Sequence, residues 1–367
     1  MVRKKVAANK TAKAKKIADE FLTLDLLEVL PPIRRYVGSG STQLDLALSG
    51  KYPDGGYAAG RITHIYGGAS TAKTVLAQIA LGYTLRTGGF AFFGDTEGTF
   101  DPVWARQFGL DVSDPKFFYG YPKRNVDKEV IPNCQPETIE EFFDDYIPWV
   151  QKHGKMSDIK VVVIDSLSAL PSLAEAKARL DEATFGMTRA KQFSTGYRKY
   201  QREWAKYNVA LVCIDQTRTN VNQSYGDKTT VSGGSALEFY ATTKVKLVKN
   251  AVIKNKSERE VGIEVGFKTT KNKAHSPFKE GFFSVVWDYG LDNIADNVDF
   301  LNMYAGDVDP ARKKKGWVVF DGKSYRVGDL VAYIENNKLE KELGQDVANI
   351  WNELYRPEER VPRRWES

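Results

Sequence analysis

Residues 67–74 read Gly67-Gly68-Ala69-Ser70-Thr71-Ala72-Lys73-Thr74 and follow the short apolar run Arg61-Ile62-Thr63-His64-Ile65. A turn of small residues closed by lysine and a hydroxyl residue, between a strand and a helix, is chemistry for a polyphosphate. Successive backbone N–H groups and the helix N-terminus cradle the phosphates, Lys73 neutralises the outer ones, and the Thr74 hydroxyl is an oxygen ligand for Mg²⁺. The stretch from Gly67 to Val75 is therefore expected to bind a nucleoside triphosphate. Ala72 stands where a second glycine is expected. Its Cβ either accepts a left-handed backbone at a cost of about 1–2 kcal/mol or sends the loop along a different path. A degenerate loop that no longer supports hydrolysis is the alternative reading.

Three further groups could complete such a site. Val161-Val162-Val163-Ile164-Asp165 is an apolar strand ending in a carboxylate, and open α/β sheets hold their ligands at the carboxyl ends of strands. Asp165 is expected to help Thr74 hold Mg²⁺; an ordinary strand-end cap is the alternative. Ala91-Phe92-Phe93-Gly94-Asp95-Thr96-Glu97 ends another strand with two acids. A carboxylate at Glu97 could orient and deprotonate an attacking water, and phosphoryl transfer needs little more than that, positioning and charge neutralisation; a surface-loop acid is the alternative. Ile214-Asp215-Gln216 brings an amide to the same edge, able to donate to a γ-phosphate and accept from a water. Residues 217–235 beyond it form a long polar stretch without periodicity, and loops of that length in compact domains are usually functional or disordered.

The elements that must carry these groups alternate. Strands are expected at 61–66, 90–95, 160–165 and 209–215, and helices at 73–87, 102–109, 137–152 and 188–207. That is a mainly parallel, doubly wound α/β sheet. Residues 242–290 read as β-hairpins, and a small α/β appendage follows 296, with a last helix near 329–354. Before the core, residues 16–30 read as an amphipathic helix stopped by Pro31-Pro32. Three domains result: a basic tail and N-terminal helix at 1–35, which serves oligomerisation, a core at 36–295 and a small C-terminal domain at 296–367.

Across 367 residues the net charge is +6, yet residues 1–16 hold seven Lys and Arg and no acid, so the remainder is close to neutral. The positive charge belongs to a tail, which solubilises or adheres weakly to nucleic acid. Cys134 and Cys213 offer no disulfide framework, which suits a reducing compartment. No apolar stretch of about 18 residues exists to span a membrane. A cytoplasmic protein is expected.

Taken together, these blocks resemble the RecA family of homologous-recombination ATPases. The resemblance runs in order from residue 30 to about 350. It is carried by Gly40-Ser41-Thr42-Gln43-Leu44-Asp45-Leu46-Ala47-Leu48, the phosphate loop, Asp95-Thr96-Glu97-Gly98-Thr99-Phe100-Asp101-Pro102 and Val163-Ile164-Asp165-Ser166. It continues with Asp215-Gln216-Thr217-Arg218, the run from Ser232 to Ala241, Lys271-Asn272-Lys273 and Pro277-Phe278-Lys279. The resemblance implies ATP and Mg²⁺, with Glu97 as catalytic carboxylate, Asp165 as Walker B acid and Gln216 as the switch between nucleotide and DNA. It implies that Asp101 contacts adenine and Trp104 stacks on it. Lys271 and Lys273 would reach the γ-phosphate of an adjacent subunit, and Phe239 would pack a subunit interface. DNA-binding loops would lie at about 178–190 and at 217–235, the second presenting Arg218, Tyr225, Gly233 and Gly234. Arg189, Lys191 and Arg198 add phosphate-seeking charge, although such charges alone more often make a solvated helix face.

The implied function is ATP-dependent filament formation on single-stranded DNA, with homologous pairing and strand exchange against double-stranded DNA. Single-strand-binding and mediator proteins are candidate partners. Met187-Thr188-Arg189-Ala190-Lys191 is similar to the phage UvsX-type recombinases, which also tolerate a non-glycine residue before the loop lysine. Two departures stand out. Residues 120–136 look like an insertion without an assignable role, and the C-terminus lacks the acidic tail of bacterial RecA, so self-inhibition by such a tail is not expected. A hexameric helicase or translocase on the same core, and a non-hydrolysing DNA-binding mediator, are the competing readings.

Overall fold

The architecture comes from a computed structural model, which describes residues 33–178, 186–219, 229–231, 235–314 and 316–356; everything below belongs to the unit that begins at Arg35. Nine strands form the path of the central sheet: β1 (Ile62–Gly67), β2 (Phe90–Asp95), β3 (Phe117–Tyr119), β4 (Lys160–Asp165), β5 (Val209–Thr219), β6 (Thr243–Lys254), β7 (Glu260–Asn272), β8 (Glu280–Val286) and β9 (Gly290–Leu291). Their order is β9-β8-β7-β6-β1-β5-β4-β2-β3. From β6 to β3 all neighbours are parallel. From β6 to β9 they are antiparallel. The expected parallel sheet with a hairpin extension is therefore what the chain forms.

Alternation along the strands explains why the sheet is covered on both faces. In β4, Val161 and Val163 join one buried cluster while Val162 and Ile164 join another; in β2, Phe93 and Phe92 divide the same way. Successive side chains of a strand point to opposite faces, so a run apolar at every position needs a layer on each side. One layer contains α1 (Thr42–Ser49), α2 (Lys73–Arg86) and the C-terminal helices, whose Val298, Leu301, Leu330, Leu343 and Trp351 continue the same core. The other contains the helical segment 139–151, α4 (Gly186–Lys206) and α5 (Ser235–Tyr240). Between β2 and β3 lies the short helix α3 (Pro102–Gln107).

Two expected helices are subdivided. The segment at 137–152 passes through a π-helical turn at Phe142–Tyr146 just before Pro148, a residue with no N–H to continue the regular ladder. The last helix is two, α7 (Val327–Asn337) and α8 (Glu340–Leu354), after α6 (Asn293–Val308). Lys338 between them is left-handed, with φ 54°.

The insertion at 120–136 folds into an antiparallel hairpin, Tyr121–Arg124 against Val130–Cys134. The long polar stretch after Gln216 begins as a ribbon: Thr229–Val231 pairs antiparallel with Thr217 to Thr219. The helix expected at 16–30, most of the first DNA-binding stretch, and Tyr225, Gly233 and Gly234 lie outside the described residues. Among the described residues no helix is long and apolar enough to cross a membrane.

Candidate functional site

β1 delivers the chain into the loop and α2 starts at Lys73. Gly67 passes so close to β6 that a Cβ would sit 2.5 Å from the Leu247 carbonyl oxygen, whereas a Cβ at Gly68 would meet nothing. Ala72 takes the left-handed conformation, φ 57° and ψ 23°, and Ser70 is left-handed too, with φ 55°. The loop thus keeps its turn and Ala72 carries the strain a glycine would avoid.

The Lys73 side chain is 9% exposed and folded onto the loop. Its ammonium donates to the Gly68 carbonyl at 2.6 Å and lies 3.3 Å from the Gly67 carbonyl and 3.4 Å from Thr71 Oγ1. Burial lowers its pKa, against the opposing pull of Asp165, Glu97 and Asp215. The Thr74 hydroxyl donates to Asp165 Oδ2 at 2.5 Å. Burial pushes the Asp165 carboxyl up to about 6, the Thr74 hydrogen bond and nearby Lys73 opposing that rise. A hydroxyl and a carboxylate meeting at a cleft edge are the hard oxygen donors Mg²⁺ prefers. That ion typically takes only one or two protein carboxylates beside substrate phosphates, so these residues fit it. Among the described residues no group of three His, Cys, Asp or Glu could make a closed metal cage.

Strand register lines the groups up. Gly67 pairs with Gln216, and Asp95 with Asp165. Of the two acids after β2, Asp95 is spent on structure: its carboxylate accepts from the backbone N–H groups of Gly98, Thr99 and Phe100 and from the Tyr119 hydroxyl. The side-chain oxygen Oε1 of Gln135, at the base of the hairpin, accepts from Asp95 N. Glu97 lines the cleft and accepts from Ser166 Oγ at 2.7 Å. A cleft of about 340 Å³ thereby gathers Ser70 to Val75, Glu97, Asp165 and Gln216.

Asp101 caps α3, accepting from the N–H groups of Val103 and Trp104. Trp104 packs edge-on to Phe108 and lies 6.2 Å from Trp287 between ring centroids. Trp287 lines the cleft with Lys249 and Ile263, and Ser166 also faces it. None of these four was singled out from the sequence. Ser166, Ile263 and Trp287 carry no phosphate signal in their residue types, Lys249 is one lysine among many in the chain, and β6 to β8 are remote in sequence from the loop. The aromatic character of Trp287 and the charge of Lys249 were the available hints.

Lys271 and Lys273 do not line this cleft. Lys271 Nζ donates to the carbonyls of Glu238 and Phe239 at 2.8 Å each, at the end of α5. It borders a separate depression with Phe239, which is 72% exposed. Lys273 is exposed. Among the DNA-binding candidates, Arg189 donates to the Ser168 carbonyl and lies over Phe193, while Lys191 and Arg198 face outward on α4. Arg218 lies in the ribbon, its backbone opposite Thr230.

Comparison with known proteins agrees with this geometry. Residues 32–292 match the RecA N-terminal domain family. The chain is similar to Protein RecA of Trichodesmium erythraeum, 30% identical over 84% of this chain and 79% of that one. It is also similar to Protein RecA of Thermus thermophilus, 32% identical over 75% of this chain and 73% of that one.

Proposed function

The chain belongs to the RecA family, and we propose that it is a DNA-dependent ATPase that assembles on single-stranded DNA and catalyses pairing and strand exchange with homologous duplex. The observation that carries this reading is the meeting of Lys73, the Thr74–Asp165 pair, Glu97 and Gln216 in one cleft at the carboxyl ends of parallel strands.

Each residue then has a task. Backbone N–H groups from Gly67 to Val75, with Ala69 and Ser70 in the turn, receive the phosphates of ATP. Lys73 leaves its loop carbonyls for the outer phosphates. Thr74 and Asp165 would hold Mg²⁺, which would supply charge neutralisation on the phosphoryl group. Glu97 accepts the proton of the attacking water, and Gln216, opposite Gly67 in the register, reads the nucleotide state into the ribbon of Thr217 to Thr219 with Thr229–Val231. Asp101 and Trp104 contact the adenine, with Trp287 as an added aromatic wall.

Lys271 and Lys273 act on the ATP of a neighbouring subunit, a reading supported by their absence from the lining of their own cleft and by the exposed Phe239 beside Lys271. Assembly would use the 1–35 segment, the 36–295 core would hold ATP and DNA, and 296–367 would be a smaller C-terminal domain. Arg189, Lys191, Arg198, Arg218, Tyr225, Gly233 and Gly234 would meet the DNA backbone and bases. We place the chain with the phage-type members, acting in the host cytoplasm. The test is the ATPase rate with and without single-stranded DNA. Saturating DNA is expected to raise the rate several-fold; an unchanged rate contradicts the proposal.

A further inference from the structure

Behind the cleft, two side chains that the reading above does not use face each other inside the sheet. His64 of β1 is 1% exposed and Asp215 of β5 is 0% exposed. His64 Nε2 lies 3.0 Å from Asp215 Oδ2, as a close contact rather than an aligned hydrogen bond. The other oxygen, Asp215 Oδ1, accepts from the backbone N–H of Ser168 at 2.9 Å. The hydroxyls of Ser168 and Ser166 are 3.1 Å apart, and Ser166 Oγ donates to Glu97 Oε1 at 2.7 Å.

The polarity of this chain is fixed by proton count. A serine hydroxyl carries one proton. Ser166 gives its proton to the Glu97 carboxylate, so the bond between the serines must be donated by Ser168. Ser168 is held in turn through its N–H by Asp215 and through its carbonyl by Arg189. Packing two parallel strands does not call for a polar pair here. The neighbours Ile62, Leu211 and Cys213 form an apolar cluster, and a hydrophobic pair of similar size would often serve stability as well or better.

We propose that Asp215, braced by His64, is a positioning residue for Glu97, acting through Ser168 and Ser166. The proposal rests on the reading of Glu97 as the catalytic carboxylate. Glu97 is exposed, and Ser166 fixes one of its oxygens toward the strand end. Misplacing a reacting group by about 1 Å can cost about 100-fold in rate. Asp215 is also the residue before Gln216, so any displacement of the β5 end alters the nucleotide sensor and the support of the base together.

The experiment uses the full chain with saturating single-stranded DNA. It measures steady-state kcat and the binding of Mg²⁺ with a non-hydrolysable ATP analogue. Asp215→Ala is expected to lower kcat about tenfold or more and to leave analogue binding within about twofold. Asp215→Asn keeps an acceptor for the Ser168 N–H and is expected to recover most of the rate. The deciding measurement is a double-mutant cycle: Asp215→Ala with Ser166→Ala should be no slower than Ser166→Ala alone, because both remove one support. Independent, multiplying losses would overturn the proposal, as would a loss seen only in analogue binding. If Asp215→Ala does not fold, Ser168→Ala enters the same cycle with the same expectation. Glu97→Gln separates the two levels. If it abolishes turnover while the cycle is multiplicative, only the positioning role falls; if it leaves turnover intact, the assignment of Glu97 falls as well.

Discussion

Ala72 carries a Cβ into a backbone conformation that costs about 1–2 kcal/mol for an L-residue, yet Lys73 and Thr74 still begin a regular helix beside it. Ala72→Gly should therefore keep ATP turnover and leave the melting temperature equal or slightly higher, since relief of strain outweighs the added chain entropy. A collapse of turnover in that variant, measured against the parent, would mean that the alanine is functionally required. Glu97→Gln keeps size and hydrogen bonding but cannot take a proton, so kcat should fall by about 100-fold or more with analogue binding retained. Away from the site, Asp296 is buried and accepts from Ser284 N at 2.8 Å. Burial, partly opposed by that bond, raises its carboxyl from 3.8 to about 7. The folded state then binds a proton that the unfolded state has released. Its stabilisation is full below the unfolded value and is lost as pH rises from about 4 to about 7. Asp296→Asn should flatten this part of the melting-temperature profile and raise the melting temperature at pH 8; an unchanged pH profile would count against the raised pKa.

At the level of elements, Lys338 closes α7 in a left-handed cap with φ 54°. Lys338→Gly should stabilise the chain by about 0.5–1 kcal/mol, read by denaturant titration; a loss of stability would show that the lysine makes a compensating contact. The strands 90–95 and 160–165 were legible to the residue, because short apolar runs of strand length, rich in Phe or Val and bounded by turn residues, read as buried strands. The phosphate loop, Asp165, Glu97 and Gln216 were legible for a related reason: each is a polar group where an apolar strand stops. What escaped was set by tertiary context. The break at Lys338 follows Asn336-Asn337, a weak stop inside a strong helical pattern. The π-helical turn before Pro148 leaves no periodicity signature. Ser166 and Trp287 join the cleft only because β4 and β8 bring them there. The ribbon of Thr217 to Thr219 with Thr229–Val231 sits within a stretch read as irregular, since its polar residues lack the alternation of a half-buried strand.

For the whole molecule, the separation of Lys271 from its own cleft makes a collective prediction. Lys271→Ala and Lys73→Ala variants should each be inactive alone, and mixing them should restore part of the ATPase, since an intact cleft then meets a neighbour's intact lysine. No recovery on mixing, with both variants folded, would place Lys271 outside the reaction. ATP is expected to turn this chain into a polymer on DNA, and that polymer is open to direct observation. This assembly is tested most directly by electron microscopy of the chain with single-stranded DNA, Mg²⁺ and a non-hydrolysable ATP analogue. Extended helical filaments are the expected result, and closed rings or unassembled monomers under those conditions would rule out filament assembly on DNA.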